Sequence, residues 1–290
     1  MKFWQVISFC EPDQLLGVAR AAEEAGFHGV MVSDHLFFPD QLESKYPYSP
    51  DGTPGFDGAT PFPDPWAAIS AMAAITTRLH FGTMVYILPL RSPLEVAKTT
   101  GTTALLSGDR VALGCGAGWI KEEFDALGVD FKGRGKRFDE AIEVLRKLWS
   151  GEMVDHHGAC FDFARVQMSP APSRPLPIYI GGKSRLALRR AARLGDGWIG
   201  TGQTPDEVPG ILETLRTLRR EAGRQNAPFE TIVPLTAPLE VDLLRRLEQE
   251  HGMSATTCYP FTYTLGPIST PEQKRELMQR FGDQVIAKLA

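Results

Sequence analysis

His80-Phe81-Gly82-Thr83-Met84-Val85-Tyr86-Ile87-Leu88, followed after a short turn by Ser92-Pro93-Leu94-Glu95, decides how this chain is read. The first stretch is apolar, β-branched and aromatic, the pattern of a buried strand. The second puts a hydroxyl at an N-cap, Pro at the first helical position and Glu at the third, so a capping box opens a helix over 93–106. The same unit recurs along the chain. Apolar runs stand at 3–9, 29–33, 80–88, 110–115, 177–180, 197–201, 231–235 and 255–261. Helices are expected to follow at about 13–25, 64–76, 93–106, 134–149, 184–194, 205–224, 239–250 and 271–289. Thr204-Pro205-Asp206-Glu207 and Thr270-Pro271-Glu272-Gln273 repeat the capping-box pattern, and Asp64-Pro65 opens a helix in the same style without the third-position acid. Eight alternating strand–helix units predict an α/β chain: a single (β/α)₈ TIM barrel spanning 1–290, with an open doubly wound sheet as the alternative.

Two insertions interrupt the rhythm. Residues 37–63, after the second strand, are rich in Pro and Gly; residues 151–176, between the fourth helix and the fifth strand, are polar, with a hairpin expected at 154–163. Loops this long are functional or mobile. The first follows the C-terminal end of a strand, where barrel enzymes carry their sites.

Composition narrows the function. The 290 residues carry 31 Lys+Arg against 35 Asp+Glu, a net charge of −4, with 43% hydrophobic and 23% charged residues. That balance excludes disorder for most of the chain and a strongly basic nucleic-acid binder. No apolar run reaches the ~20 residues of a membrane span. The N-terminus lacks a secretory pattern, and Cys10, Cys115, Cys160 and Cys258 form no CxxC pair, so reduced thiols, no structural zinc and a cytoplasmic location are expected.

Among six histidines, His35 alone falls at the C-terminal end of a predicted strand, in Val32-Ser33-Asp34-His35, where Asp34 is placed to orient the ring or bias its charge. His28 and His80 begin strands, on the opposite face; His156 and His157 are expected in a turn of the second insertion; His251 ends a helix, where its partial positive charge suits the dipole. Gly114-Cys115-Gly116-Ala117-Gly118-Trp119 is not the dinucleotide fingerprint, because its third glycine comes one residue early. It is either a tight strand-to-loop turn or a place where backbone approaches a flat ligand. Ile180-Gly181-Gly182-Lys183-Ser184 opens onto a helix, as a phosphate cradle or as a plain connection. Phe37, Phe38, Tyr86, Trp119, Tyr259, Phe261 and Tyr263 lie near strand ends and suit either a core or a flat heteroaromatic guest. No catalytic triad, paired glycosidase carboxylates, phosphate-binding Walker loop or HExxH zinc motif appears, so hydrolysis and phosphoryl transfer lack machinery and no metal is expected.

Taken in order, Ala21-Ala22-Glu23-Glu24-Ala25-Gly26-Phe27, Ser33-Asp34-His35, Asp64-Pro65-Trp66, Leu90-Arg91-Ser92-Pro93, Ser107-Gly108-Asp109-Arg110, Gly116-Ala117-Gly118-Trp119, Glu122-Glu123-Phe124, Gly181-Gly182 and Gly195-Asp196-Gly197-Trp198 resemble the bacterial luciferase-like superfamily. More specifically, they resemble its branch of oxidoreductases that use the 8-hydroxy-5-deazaflavin coenzyme F420. The likeness runs from about residue 15 to 202; beyond it the match is in strand–helix rhythm.

The resemblance implies a cofactor at the C-terminal face of the barrel. His35 would stand close to the deazaflavin ring as the catalytic group, with Asp34 beside it. Thr83, Met84 and Val85 would form a bulge behind the ring, with a cis Met84–Val85 peptide. Gly116, Ala117 and Gly118 would lie near the ring and its side chain, and Gly181, Gly182 and Lys183 would bind the phosphate. Phe37, Tyr86, Trp119 and Tyr259 would line the substrate pocket, and residues 37–63 would close over it as a lid. Lys45, Lys121, Lys183 and Arg185 are placed to meet the acidic tail of the coenzyme. Sugar-phosphate dehydrogenases of this branch carry Glu where Trp119 stands, so a more apolar substrate is favoured. The implied activity is hydride transfer between F420 and a small, fairly apolar organic molecule. The alternatives are an FMN-dependent two-component monooxygenase served by a separate reductase, and a flavin-binding protein without turnover. A homodimer is expected, with neither nucleic acid nor membrane as partner.

Overall fold

The computed structural model describes residues 1–289. Eight parallel strands close into a barrel in the order β1 (Lys2–Val6), β2 (Gly29–Val32), β3 (His80–Thr83), β5 (Val111–Gly116), β8 (Ile178–Gly181), β9 (Gly197–Ile199), β10 (Glu230–Pro234) and β11 (Ala255–Cys258), which returns to β1. Each lies within or beside one of the predicted runs. The third run is the exception in form. It breaks after Thr83, makes a cis Met84–Val85 peptide, and resumes as β4 (Tyr86–Ile87), which pairs with the upper half of β5.

Glycines on the neighbouring strands make room for this bulge. A Cβ on Gly114 would lie 1.9 Å from the Thr83 carbonyl oxygen. One on Gly116 or on Gly181 would lie 2.7 Å from a Val85 methyl. Val85 therefore fills the space that β5 and β8 leave empty. Thr83 Oγ1 donates to Gly114 O at 2.6 Å, Met84 N–H to Val32 O at 2.8 Å, and Ser33 Oγ to Met84 O at 3.0 Å, so both sides of the break are tied to the sheet. Below it, Trp4, Val6, Met31, Ala112, Tyr179 and Ile232 fill the barrel interior.

The helices outside are α1 (Leu15–Glu24), α2 (Pro65–Ala73), α3 (Pro93–Ser107), α4 (Lys121–Ala126), α5 (Arg134–Leu148), α6 (Arg185–Leu194), α7 (Val208–Glu221), α8 (Val241–His251), α9 (Phe261–Leu265), α10 (Pro271–Phe281) and α11 (Ala287–Leu289). Of the three expected capping boxes, one forms in full: Thr270 Oγ1 accepts from Gln273 N–H while the Gln273 side chain accepts from Thr270 N–H. Ser92 makes no capping bond from its side chain. At 204 only the reverse half is present, Thr204 N–H donating to Glu207 Oε2 at 2.9 Å, and α7 starts at Val208 rather than at 205. Asp64 caps α2 by accepting from Ala67 N–H at 2.8 Å. The last helix, expected to run unbroken to 289, widens into a π-turn at Gly282–Ile286. A Cβ on Gly282 would sit 2.3 Å from Ala25 O, so this glycine lets the chain pass against the end of α1.

The second insertion is an antiparallel hairpin, β6 (Met153–His157) with β7 (Asp162–Gln167). His156 and His157 are therefore strand residues, not turn residues as expected. Glu140 of α5 holds the hairpin by accepting from Phe161 N–H at 2.8 Å and Cys160 N–H at 3.0 Å. At the opposite end of the barrel His28 stacks on His80 with ring centroids 4.4 Å apart, and burial, with His80 and Lys2 nearby, pushes His28 down to about 3. Among the described residues no helix is long and apolar enough to cross a membrane.

The bulge makes a test of the fold. Gly114→Ala should destabilise the protein by about 1–3 kcal/mol, because the methyl meets a backbone oxygen that cannot swing away. Gly17→Ala, at an exposed position of α1 with nothing within 4 Å of the new Cβ, should stabilise by about 0.5–1 kcal/mol. Denaturant unfolding of the two variants checks both signs; an unaffected Gly114→Ala protein would mean that the β3–β5 contact is not tight.

Candidate active site

A cavity of about 1120 Å³ opens at the C-terminal ends of the barrel strands. Its wall is built from the end of β2, the bulge, the β5–α4 loop, the start of α6, the segment after β11 and the 37–63 insertion. His35 lines it with 11% of its side chain exposed. Its Nδ1 lies 3.1 Å from Glu123 Oε2, on a carboxylate with no exposed surface. The other oxygen, Oε1, accepts from Leu36 N–H at 2.7 Å. A buried carboxylate so placed accepts a hydrogen bond from Nδ1–H, which leaves Nε2 as the nitrogen free to exchange a proton with a guest.

Asp34, expected to orient the imidazole, turns the other way. It takes a two-pronged grip from Arg91, Nη1 to Oδ2 at 2.6 Å and Nη2 to Oδ1 at 2.7 Å, and accepts from Ile87 N–H at 2.8 Å. Burial raises its carboxyl, and the Arg91 guanidinium and the Ile87 N–H oppose that rise. Asp34 thus fixes the chain just past the bulge, while the group that holds the His35 ring is Glu123.

Met84 and Val85 face the cavity, as do Gly116, Ala117, Gly118, Trp119 and Tyr259. Three expected residues do not reach it. Thr83 is fully buried, with its hydroxyl spent on Gly114 O. Tyr86 points outward into the helix layer, 5.9 Å from Trp66 and under the Arg91 guanidinium at 4.3 Å. Phe37 borders a separate small pocket on the outer side of Phe56 and Phe62.

The Gly181-Gly182 segment lines the cavity, but Gly182 N–H donates to Ile199 O at 3.2 Å and so is committed to the barrel. Gly182 itself has φ +118°, a left-handed conformation that carries the chain from β8 into α6. Ser184 caps α6 by accepting from Ala187 N–H at 3.1 Å. What remains for an anion here is the N-terminus of α6 and Lys183, whose Nζ lies 5.6 Å above the Tyr48 ring. Lys45 and Lys121 also line the cavity; Arg185 does not, and Arg134 and Arg190 stand there instead.

The 37–63 insertion forms a wall through Tyr46, Tyr48, Phe56 and Phe62. Glu122, next to Glu123, fastens it: its carboxylate accepts from Glu43 N–H at 2.7 Å, Ser44 N–H at 3.0 Å and Ser44 Oγ at 2.6 Å. Burial works to raise this carboxyl, but the bonds from Ser44 and Glu43 hold it below the ordinary range. In the sequence Glu122 and Glu123 stand only as part of a family motif, with no role attached to either. The one signal they gave was their place, directly after the glycine loop of a barrel strand.

A family model described as luciferase-like monooxygenase matches residues 7–241. An uncharacterised protein of Mycobacterium tuberculosis is 40% identical over 273 residues, covering 94% of each chain. The F420-dependent glucose-6-phosphate dehydrogenase of Nakamurella multipartita is 31% identical over 255 residues, covering 86% of this chain and 70% of that one. Among solved structures, a monooxygenase of Streptomyces bottropensis covers 100% of both chains with a TM-score of 0.77 at 20% identity, a likeness of fold. A barrel closed around a strand-3 bulge, with a histidine at the end of its second strand, thus joins a match over most of the chain, and the protein belongs to the luciferase-like family.

Proposed function

We propose that this protein is an oxidoreductase that passes a hydride between coenzyme F420 and a small, fairly apolar organic substrate. The observation that carries the reading is His35: its Nδ1 is held by buried Glu123, which leaves its Nε2 for a guest in a cavity backed by Met84 and Val85. The F420-dependent relative from Nakamurella multipartita supports the choice of coenzyme.

The residues present fit a deazaflavin with a phosphate-bearing side chain. Val85 gives an apolar face against which a flat ring can lie. Thr257 Oγ1 is buried on the cavity wall without a hydrogen-bond partner, a polar atom that a ring heteroatom would satisfy. Lys183 and the N-terminus of α6 offer positive charge to a phosphate. When bound, F420 supplies the hydride-carrying carbon. The chain supplies the rest. Met84 and Val85 of the bulge would back the ring. His35 Nε2 gives or takes the proton that accompanies the hydride, with Glu123 keeping the ring in one orientation. The aromatic wall from the insertion keeps water away from the reacting atoms. Burial pushes the Tyr46 hydroxyl up to about 12 and raises Tyr48 and Tyr259 as well, so these groups stay neutral in the working pH range.

Titration of the purified protein with F420 and with FMN tests the reading. F420 should bind more tightly, and its affinity should weaken as salt rises. Tighter binding of FMN, with oxygen consumed when reduced FMN is supplied, would replace this reading with a monooxygenase. His35→Asn is the matching variant, because the Asn amide can still donate to Glu123 where Nδ1 did while nothing replaces Nε2. It should keep the wild-type melting temperature and lose about 10²-fold or more in turnover. Full activity would remove His35 from the mechanism.

A further inference from the structure

The cavity is divided by chemistry. The ring of His35 lies 5.0 Å from Phe56, 5.1 Å from Phe62 and 5.9 Å from Trp119, centroid to centroid. Phe9 extends this group, 6.0 Å from Phe56 and 5.6 Å from Phe62, and Tyr46 sets its edge on Trp119 at 5.2 Å. All six aromatic and imidazole side chains face the cavity, and they come from four separate parts of the chain. Several charged groups of the cavity are engaged elsewhere, and Lys45, which stands exposed in the insertion, and Lys183 are the lining lysines without a carboxylate partner among the described residues. Asp34 is gripped by Arg91, Glu122 by Ser44, Lys121 by Asp125, and Arg190 by Asp139, while Glu123, fully buried behind the wall, is met by His35 and Leu36. Arg134 lies over Phe131 at 3.7 Å, and Lys183 meets only the outer ring, Tyr48. An anion brought beside His35 would lose its water among aromatic side chains that offer it no charged partner.

We propose that the substrate site beside His35 is a neutral aromatic cage that takes an uncharged, aryl-bearing molecule and rejects phosphorylated or carboxylated ones. The reaction assigned to that molecule rests on the F420 reading above; its binding preference rests on the cage alone. The cage thus gives a division of labour within one cavity: the cationic end holds the charged part of the coenzyme, and the aromatic end holds a substrate with no charge of its own.

Calorimetric titration of the whole protein, with and without F420, separates the two claims. The probes are benzylideneacetone, its para-carboxylate, its cyclohexyl counterpart and glucose 6-phosphate. Benzylideneacetone should bind at least about tenfold more tightly than the carboxylate and than glucose 6-phosphate, because a buried charge would stand unpaired. It should bind about threefold or more tightly than the cyclohexyl counterpart, the scale of an edge-to-face contact. Comparable or tighter binding of the carboxylate or the sugar phosphate, equal binding of the cyclohexyl compound, or no detectable binding of benzylideneacetone would overturn the proposal. Failure of F420 to bind would sink the redox reading while leaving the preference measured without it to stand or fall by itself.

Discussion

The Glu123 carboxylate joins two parts of the chain, the end of β2 and the short helix α4, that are 88 residues apart in sequence. It is wholly buried, and an unpaired carboxylate there would cost several kcal/mol, so both of its oxygens must be met. His35 Nδ1 meets one and Leu36 N–H the other. The same logic runs through the two residues before it. Ser33 reaches across to the carbonyl of Met84 in the bulge, and Asp34 to Ile87 N–H and Arg91 just beyond it. Three consecutive side chains at one strand end thereby fix the bulge, the chain after it and α4. Glu122 carries the connection one step further, to the insertion that walls the cavity.

Much of this fold can be read along the chain, because barrel strands and their helices are local and periodic. The eight runs are the eight barrel positions. What local reading missed was set by contacts at a distance. Nothing in 80–88 itself calls for the break and the cis Met84–Val85 peptide, which the family resemblance alone implies and the structure shows; the break fits because Gly114, Gly116 and Gly181 on other strands leave room for Thr83 and Val85. Three similar capping sequences gave one full box, since tertiary context decided where each helix began. Helix α4 has six residues, too few for a periodic pattern to show.

The site divides in the same way. His35 was legible from its place at a strand's C-terminal end, and Trp119 and Tyr259 from theirs. Asp34 was read as the partner of His35 because it is adjacent in sequence, yet successive side chains of an extended segment point apart. Phe37 and Tyr86, pocket residues by the family resemblance and by their place near strand ends, lie elsewhere: one behind the Phe56–Phe62 wall and the other in the helix layer. The glycines after β5 and β8 suit, by sequence, either tight connections or close approach of a ligand. At Gly116 and Gly181 the space a side chain would take holds Val85, and the surface turned to the cavity is the valine they admit.

Glu123, as acceptor, fixes the His35 ring with its proton on Nδ1 and Nε2 bare toward the cavity. Long-range proton–nitrogen NMR correlations on histidine-labelled protein read this directly. At alkaline pH the His35 signals should be those of a ring protonated at Nδ1, and in Glu123→Gln they should shift toward a mixture of the two tautomers. A wild-type ring protonated at Nε2, or one averaging freely between the two nitrogens, would contradict the account.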